Sequence, residues 1–150
     1  MSNETSVMYY DGLEMVVTHG PDGTSVARYV GDVEDLPEGS IIEMHLLGDK
    51  FHRVGGPAIT YAGGSKEWLQ HGKLHNEDGP AITCPSGEEA YYIDDKESRL
   101  DGPAVIREDG TLEWLIDGIR HNEEGPAIVW PNGCRDYYIN GVFIRREEAE

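Results

Sequence analysis

Gly-Pro-Ala, followed by two or three strand-forming residues, occurs four times in this chain, at Gly56, Gly79, Gly102 and Gly125, each copy 23 residues after the last. In that register Gly64, Gly87, Gly110 and Gly133 coincide, as do the aromatics Trp68, Tyr91, Trp114 and Tyr137. Self-similarity at a period of about 20 to 50 residues marks an array in which each unit covers its neighbour's apolar surface. The chain is thereby limited to stacking one small motif.

The motif reads as a β-hairpin plus a connecting loop. In the pairs Gly56-Pro57, Gly79-Pro80, Gly102-Pro103 and Gly125-Pro126, proline forces the preceding residue to be extended and itself fits only the start or edge of a strand. A short β-branched run follows, Ala81-Ile82-Thr83-Cys84 or Ala127-Ile128-Val129-Trp130, and then a turn, Pro85-Ser86-Gly87 or Pro131-Asn132-Gly133. The return strand carries the aromatics, as in Leu112-Glu113-Trp114-Leu115-Ile116. It ends at a second reversal, Asp117-Gly118 or Asn140-Gly141, which is a strong short hairpin signal.

Gly-Lys-Leu-His-Asn-Glu-Asp-Gly-Pro-Ala at residues 72–81 and Arg-His-Asn-Glu-Glu-Gly-Pro-Ala at 120–127 resemble the MORN-like repeats of phage, bacterial and large-virus proteins. The resemblance covers roughly residues 46–141. It implies an elongated, single-layer antiparallel sheet that serves as a binding scaffold, and a related variant occurs in predicted toxin-neutralising proteins. Two copies depart from the pattern. One has Asp95 for the turn glycine and Ser98 for the histidine, and the first reads Gly48-Asp49-Lys50-Phe51-His52, its turn shifted by one.

The fold class expected is therefore all-β, an elongated single-layer antiparallel sheet of 23-residue hairpin repeats. The length suits a single repeat domain over residues 1–150. Residues 6–31 read as a degenerate N-terminal hairpin, 32–39 as an acidic loop, 40–141 as the regular repeats and 142–150 as a charged C-terminal cap that discourages edge pairing. The aromatics at 68, 91, 114 and 137 are expected to form one stripe that packs successive hairpins together. The N-terminal residues lack the basic flank and apolar segment of a signal peptide, and no long apolar run occurs. Cys84 and Cys134 fall at unrelated repeat positions, so free thiols in a reducing compartment are expected. The expected location is the cytoplasm, that of a host if the protein is viral.

Charge is the strongest functional signal. Twenty-nine acids against 12 bases leave a net charge of -17. Direct nucleic-acid binding and anionic membranes are disfavoured, since a phosphate backbone requires net positive contacts. The acidity also argues against base stacking on the aromatic stripe. A solubilising role for the acids is the plain alternative. His52, His75 and His121 share one repeat position, but successive copies lie two or more strands apart, about 10 Å, too far to share a metal ion. They are read as bonding the loop backbone before Gly-Pro. No phosphate-cradling glycine loop, nucleophile motif or converging carboxylate pair is present, so no catalysis, metal or cofactor is expected.

The function expected is that of a non-enzymatic protein-binding scaffold, an acidic inhibitor, antitoxin-like or phage anti-defence protein that docks on a basic or nucleic-acid-binding partner. Asp32, Glu34, Asp35 and Glu38 of the acidic loop are the first candidates, with Glu77, Asp78, Glu123 and Glu124 of the loops before Gly-Pro. Two alternatives stand beside it. One is sequestration of a small ligand or signalling nucleotide, for which Arg99, Arg107, Arg120 and Arg135 are scattered through the repeat. The other is a self-assembling structural or virion component, including a homodimer through open sheet ends.

Overall fold

The computed structural model describes residues 4–150; residues 1–3, part of the N-terminal stretch read for a signal peptide, lie outside the described residues. The chain divides into two compact units, Met1–Lys73 and Leu74–Glu150. Among the described residues there is no helix, and hence none long and apolar enough to cross a membrane.

The first unit contains β1 (Glu4–Tyr10), β2 (Leu13–His19), β3 (Thr24–Tyr29), β4 (Ile41–Leu47), β5 (Lys50–Phe51), β6 (Ile59–Tyr61), β7 (Lys66–Glu67) and β8 (Leu69–Gln70), while β9 (Lys73–Leu74) spans the boundary. Its sheet runs β1-β2-β3-β4-β6-β7, antiparallel throughout, with β5 folded back on β4. Period-two alternation in β2 sends Met15 and Val17 to one face, where they meet Ala27 and Met44. Met8, Leu13, Tyr29, Ile41, Leu46 and Phe51 pack around these four.

The second unit contains β10 (Ile82–Thr83), β11 (Glu89–Ala90), β12 (Tyr92–Ile93), β13 (Lys96–Glu97), β14 (Val105–Ile106), β15 (Leu112–Glu113), β16 (Leu115–Ile116), β17 (Ile119–Arg120), β18 (Ile128–Val129), β19 (Arg135–Ile139) and β20 (Val142–Glu147). The sheet runs β10-β11-β14-β15-β18-β19-β20, again antiparallel and open. The pairs β12-β13 and β16-β17 form separate two-stranded ribbons. The all-β hairpin-repeat sheet read from the 23-residue period is what forms. Within residues 142–150, read as a charged cap, most of the segment is strand β20.

The buried repeat position is the alanine of Gly-Pro-Ala: Ala58, Ala81, Ala104 and Ala127 are each 0% exposed. Proline has no N–H to give, so cross-strand bonding begins at this alanine. Ala104 donates its N–H to the Glu113 carbonyl at 2.8 Å and accepts from the Tyr91 N–H at 2.7 Å. Ala127 stands likewise between Asp136 and Trp114, and Ala58 between Glu67 and His45. In the second unit Ala90, Ala104, Val105 and Leu115 form the buried cluster, with Ile82 and Tyr92 against it, so residues of the ribbons cover part of the sheet face.

The expected aromatic stripe is corrected by this arrangement. Trp68, Tyr91, Trp114 and Tyr137 are only half-buried and belong to neither buried cluster. Trp68, Tyr91 and Trp114 mark where the return segment leaves the sheet, while Tyr137 lies within continuous β19. Trp114 donates its N–H to the Ala127 carbonyl but accepts at its own carbonyl from His121 in the following ribbon, and Tyr91 does the same between Ala104 and Ser98. The segment read as one strand, Leu112 to Ile116, splits there into β15 and β16. A ring side chain carries about 150–250 Å² of surface, more than a sheet with so thin a cover encloses. A methyl group fits.

Enlarging that slot tests the assignment. Ala104→Val is expected to cost about 1–3 kcal/mol through overpacking, read as a lower urea midpoint at unchanged slope, whereas Trp114→Phe should fall below that range.

Candidate functional site

Each loop before Gly-Pro is fixed by one side chain. Asn76 Nδ2 donates to the Pro80 carbonyl at 2.8 Å while its Oδ1 accepts the Asp78 N–H at 3.2 Å. Asn122 repeats both bonds to Pro126 and Glu124. In the intervening copies an arginine takes over: Arg53 Nη1 reaches the Pro57 carbonyl at 3.2 Å and Arg99 Nη1 the Pro103 carbonyl at 3.4 Å. The next residue alternates as well, exposed Val54 and Leu100 against exposed Glu77 and Glu123. This alternation over two repeats was legible in the sequence at 53, 76, 99 and 122, but only in a 46-residue frame.

The histidines do not bond the loop before Gly-Pro, as the sequence reading had them. His52 Nδ1 accepts the His71 N–H at 3.0 Å, His75 Nδ1 the Asp94 N–H at 3.3 Å and His121 Nδ1 the Asn140 N–H at 3.0 Å, each nineteen residues on. Ser98, the departure from the pattern, does the same work with its hydroxyl toward the Asp117 N–H at 3.2 Å. All four donors have positive φ at the first position of a two-residue turn, where the primed turn leaves that N–H without a partner of its own. The other departure is equally compensated. Asp95 holds φ +67 in glycine's place, and its Oδ1 accepts the Leu74 N–H at 2.7 Å while its own N–H donates to the Leu74 carbonyl. Burial and the neighbouring His71 both hold the His52 imidazole below its ordinary pKa.

A second missed set is a series of carboxylates on the sheet, each bonded from six residues upstream. Tyr61 Oη donates to Glu67 at 3.0 Å, Arg107 Nε to Glu113 at 2.9 Å and Trp130 Nε1 to Asp136 at 2.9 Å. In the remaining copy the pair is Cys84 and Ala90, where acid and donor are lost together. Glu113 is 5% exposed and also receives Arg120 at 3.0 Å; Asp136 is 3% exposed and receives Arg146 at 2.6 Å. Burial pushes the Glu113 carboxyl up, and hydrogen bonds from Arg107 and Arg120 more than offset it, leaving the pKa below the usual carboxylate value. For Asp136 the Arg146 bond leads and the pKa is again lowered. The structure thus brings together Arg107 and Arg120, which looked scattered in sequence, on one carboxylate.

All eight arginines form ion pairs of this kind: Arg28 and Arg53 with Glu43, Arg99 with Asp101, Arg107 and Arg120 with Glu113, Arg135 and Arg145 with Glu147, and Arg146 with Asp136. Asp32, Glu34, Asp35 and Glu38 are exposed, and among the described residues none of the four is ion-paired. Their loop is anchored at its far end, where the Glu38 carbonyl accepts the Gly63 N–H at 2.9 Å and the Ser40 carbonyl the Ala62 N–H at 2.8 Å. A Cβ at Gly63 would stand 2.8 Å from the Glu38 Cβ, so glycine is required where other copies have Ser86, Asp109 and Asn132.

Glu77 and Asp78 rim a groove of about 630 Å³ in the second unit, with Asp101 and Asp117 on its other walls. Tyr91, Ile93 and Ile116 supply apolar lining, and Leu100 stands on the rim 87% exposed. The one cation there, Arg99, is committed: its Nε donates to Asp101 at 2.7 Å and its guanidinium lies 4.1 Å from the Tyr91 ring centre. That bond holds the Asp101 carboxyl below its ordinary pKa. Glu123 and Glu124 are exposed in the equivalent loop two repeats on, outside this groove. The candidate acids are therefore spread over three places: the loop 32–39 in the first unit, the groove, and the loop at 123–124. Leu100, Asp101, Asp117, Ile93 and Ile116 complete the groove and were not singled out by sequence.

Neither the protein-family models nor the curated proteins compared with this chain match it.

Two substitutions probe these contacts. Glu113→Ala is expected to cost about 1–3 kcal/mol, below the range for fully buried pairs because both arginines are half-exposed and rehydrate. Because the Glu113 and Asp136 pKa values are depressed by folding, their contribution is present above the unfolded carboxylate pKa and lost as pH falls through the folded value. An acid titration followed by circular dichroism should therefore show a smaller acid-induced loss in Glu113→Ala. Gly63→Asn should release the 32–39 loop, seen as faster protease cleavage there with the melting temperature lowered by only a few degrees, about 4 °C per kcal/mol.

Proposed function

We propose that the protein is a non-enzymatic binding scaffold of the MORN-like repeat kind, an inhibitor or antitoxin-like protein that docks an acidic surface on a basic, nucleic-acid-binding protein. The observation that carries this reading is the groove rimmed by Glu77, Asp78, Asp101 and Asp117, lined by Tyr91, Ile93 and Ile116, with its one arginine already ion-paired. Such a site suits a lysine or arginine side chain, whose methylene stem lies on the apolar lining while the charged head meets the rim. Leu100 offers an apolar anchor beside it.

The engagement of every arginine by a carboxylate supports a cationic partner over an anionic ligand. To engage Arg107, Arg120 or Arg146, a phosphate or nucleotide would have to displace Glu113 or Asp136 from an existing pair, and the buried carboxylate left behind is costly. The acidic loop 32–39 of the first unit adds four acids of its own, and exposed charge of this kind steers a cationic partner's approach, a contribution that acts mainly on the association rate.

The test is capture of host proteins on the immobilised chain at low and high salt, followed by affinity measurement with each purified catch. The reading expects basic, nucleic-acid-binding proteins whose binding falls with salt. The triple variant Glu77→Lys, Asp78→Lys, Asp101→Lys should weaken binding at least about a hundredfold, since unpaired like charges across an interface cost several kcal/mol. Reversal of Asp32, Glu34 and Asp35 should lower the association rate by about tenfold and leave dissociation unchanged. Salt-insensitive capture, or full affinity in the groove variant, would sink the proposal.

A further inference from the structure

The two long terminal strands differ in how their open edges are guarded. Strand β20 carries Arg145, Arg146 and Glu147, and its register with β19 shifts between Tyr137 and Tyr138, leaving Ile144 as an extra residue. Charges and bulges are the ordinary devices that stop an edge from pairing. Strand β1 has no bulge and no charge beyond its first residue. Its seven residues, Glu-Thr-Ser-Val-Met-Tyr-Tyr, run in unbroken register against β2, from Glu4 opposite His19 to Tyr10 opposite Leu13. It has no lysine, no proline and one charge, at its first residue. Among the described residues no strand pairs on its outer side.

The side chains of β1 are also left uncovered. Val7 is 56% exposed and Tyr9 70%. Met8, opposite the buried Met15, packs at the margin of the first unit's buried cluster and is itself only half-buried. A β-branched and aromatic strand of this length, flat and open, is a template for another strand.

We propose that β1 is a self-association edge, pairing antiparallel with β1 of a second copy across a two-fold axis at Val7. Opposed residues in an antiparallel pair project from the same face, so a two-fold axis must pass midway between one residue and its own copy. Centring on Val7 is the register that engages all seven residues. It sets Val7 on Val7, Thr5 against Tyr9, Ser6 against Met8 and Glu4 against Tyr10, so no like charges face each other and Met8 gains cover. Aromatic and β-branched cross-strand pairs of this kind are favourable. The strand has nothing that would select a charged partner, and its complement is itself. One strand pair falls short of the roughly 1,000 Å² of a stable interface, so the dimer is weak and concentration-dependent. It is independent of the groove reading, which concerns Leu74–Glu150.

Sedimentation velocity of the full chain over a concentration series, at low and high salt, tests the pairing. A monomer–dimer equilibrium that tightens with salt is expected, because each copy carries -17; groove binding changes with salt in the opposite sense. Val7→Lys should weaken the dimer at least about tenfold by setting two ammonium groups together, with an unchanged melting curve. Val7→Glu should do the same, and an equimolar mixture of the two variants should dimerise again. Val142→Lys, on exposed β20, should leave the dimer intact. A wild type monomeric at every concentration, a dimer broken by Val142→Lys and not by Val7→Lys, or folded Val7 variants that fail to complement each other would overturn the proposal. So would hydrogen-exchange protection of residues 4–10 arising only with a different protein bound.

Discussion

The repeat depends on how little room a strand leaves at the alanine after proline. At Ala104 and Ala127 both backbone groups are bonded, the N–H to one neighbouring strand and the carbonyl to the other, and no surface remains exposed. Proline just before it supplies the extended approach and withholds a donor, so cross-strand bonding starts at the same place in every copy. The alanine is the position fully buried in every copy, with Ile59, Val105 and Ile128 buried beside it, and much of the remaining definition comes from polar contacts.

Those contacts follow a division of labour. Histidine or serine satisfies the exposed N–H of the turn nineteen residues on, asparagine or arginine closes the loop before Gly-Pro, and a sheet carboxylate holds the upstream donor. The first two join a backbone group to a side chain from a fixed repeat position, and the third joins two side chains six residues apart. Of the two departures, Ser98 preserves the turn bond with a hydroxyl in place of an imidazole, and Asp95 keeps glycine's backbone bond to Leu74 and adds one from its carboxylate. The repeat conserves hydrogen-bond geometry more strictly than residue type, since an unsatisfied backbone group costs more than a changed partner.

The same contacts sort the charges. Each arginine is taken up by a carboxylate, and among the described residues this leaves Asp32, Glu34, Asp35 and Glu38 without an ion-pair partner. The negative surface thus follows from internal pairing of the cations as much as from acid content. In the groove the pairing of Arg99 with Asp101 and Tyr91 removes the one charge that would oppose a cationic visitor.

The period, the hairpin turns and the all-β class were set by sequence alone, because Gly-Pro and Asx-Gly restrict the backbone locally and need no distant partner. The acidity was legible for the same reason. What lay beyond the sequence were choices among side chains that compete for one place. Trp114 and Tyr91 have the largest apolar surface yet cede the buried slot to Ala104 and Ala127, because enclosure depends on the thickness of what lies over the sheet. His121 and Ser98 bond a turn nineteen residues away, a distance that only the stacking of one hairpin on the next makes short. The groove, too, is made by Glu77, Asp101 and Ile116 from three repeats, and only tertiary packing determines which residues of different copies share a surface.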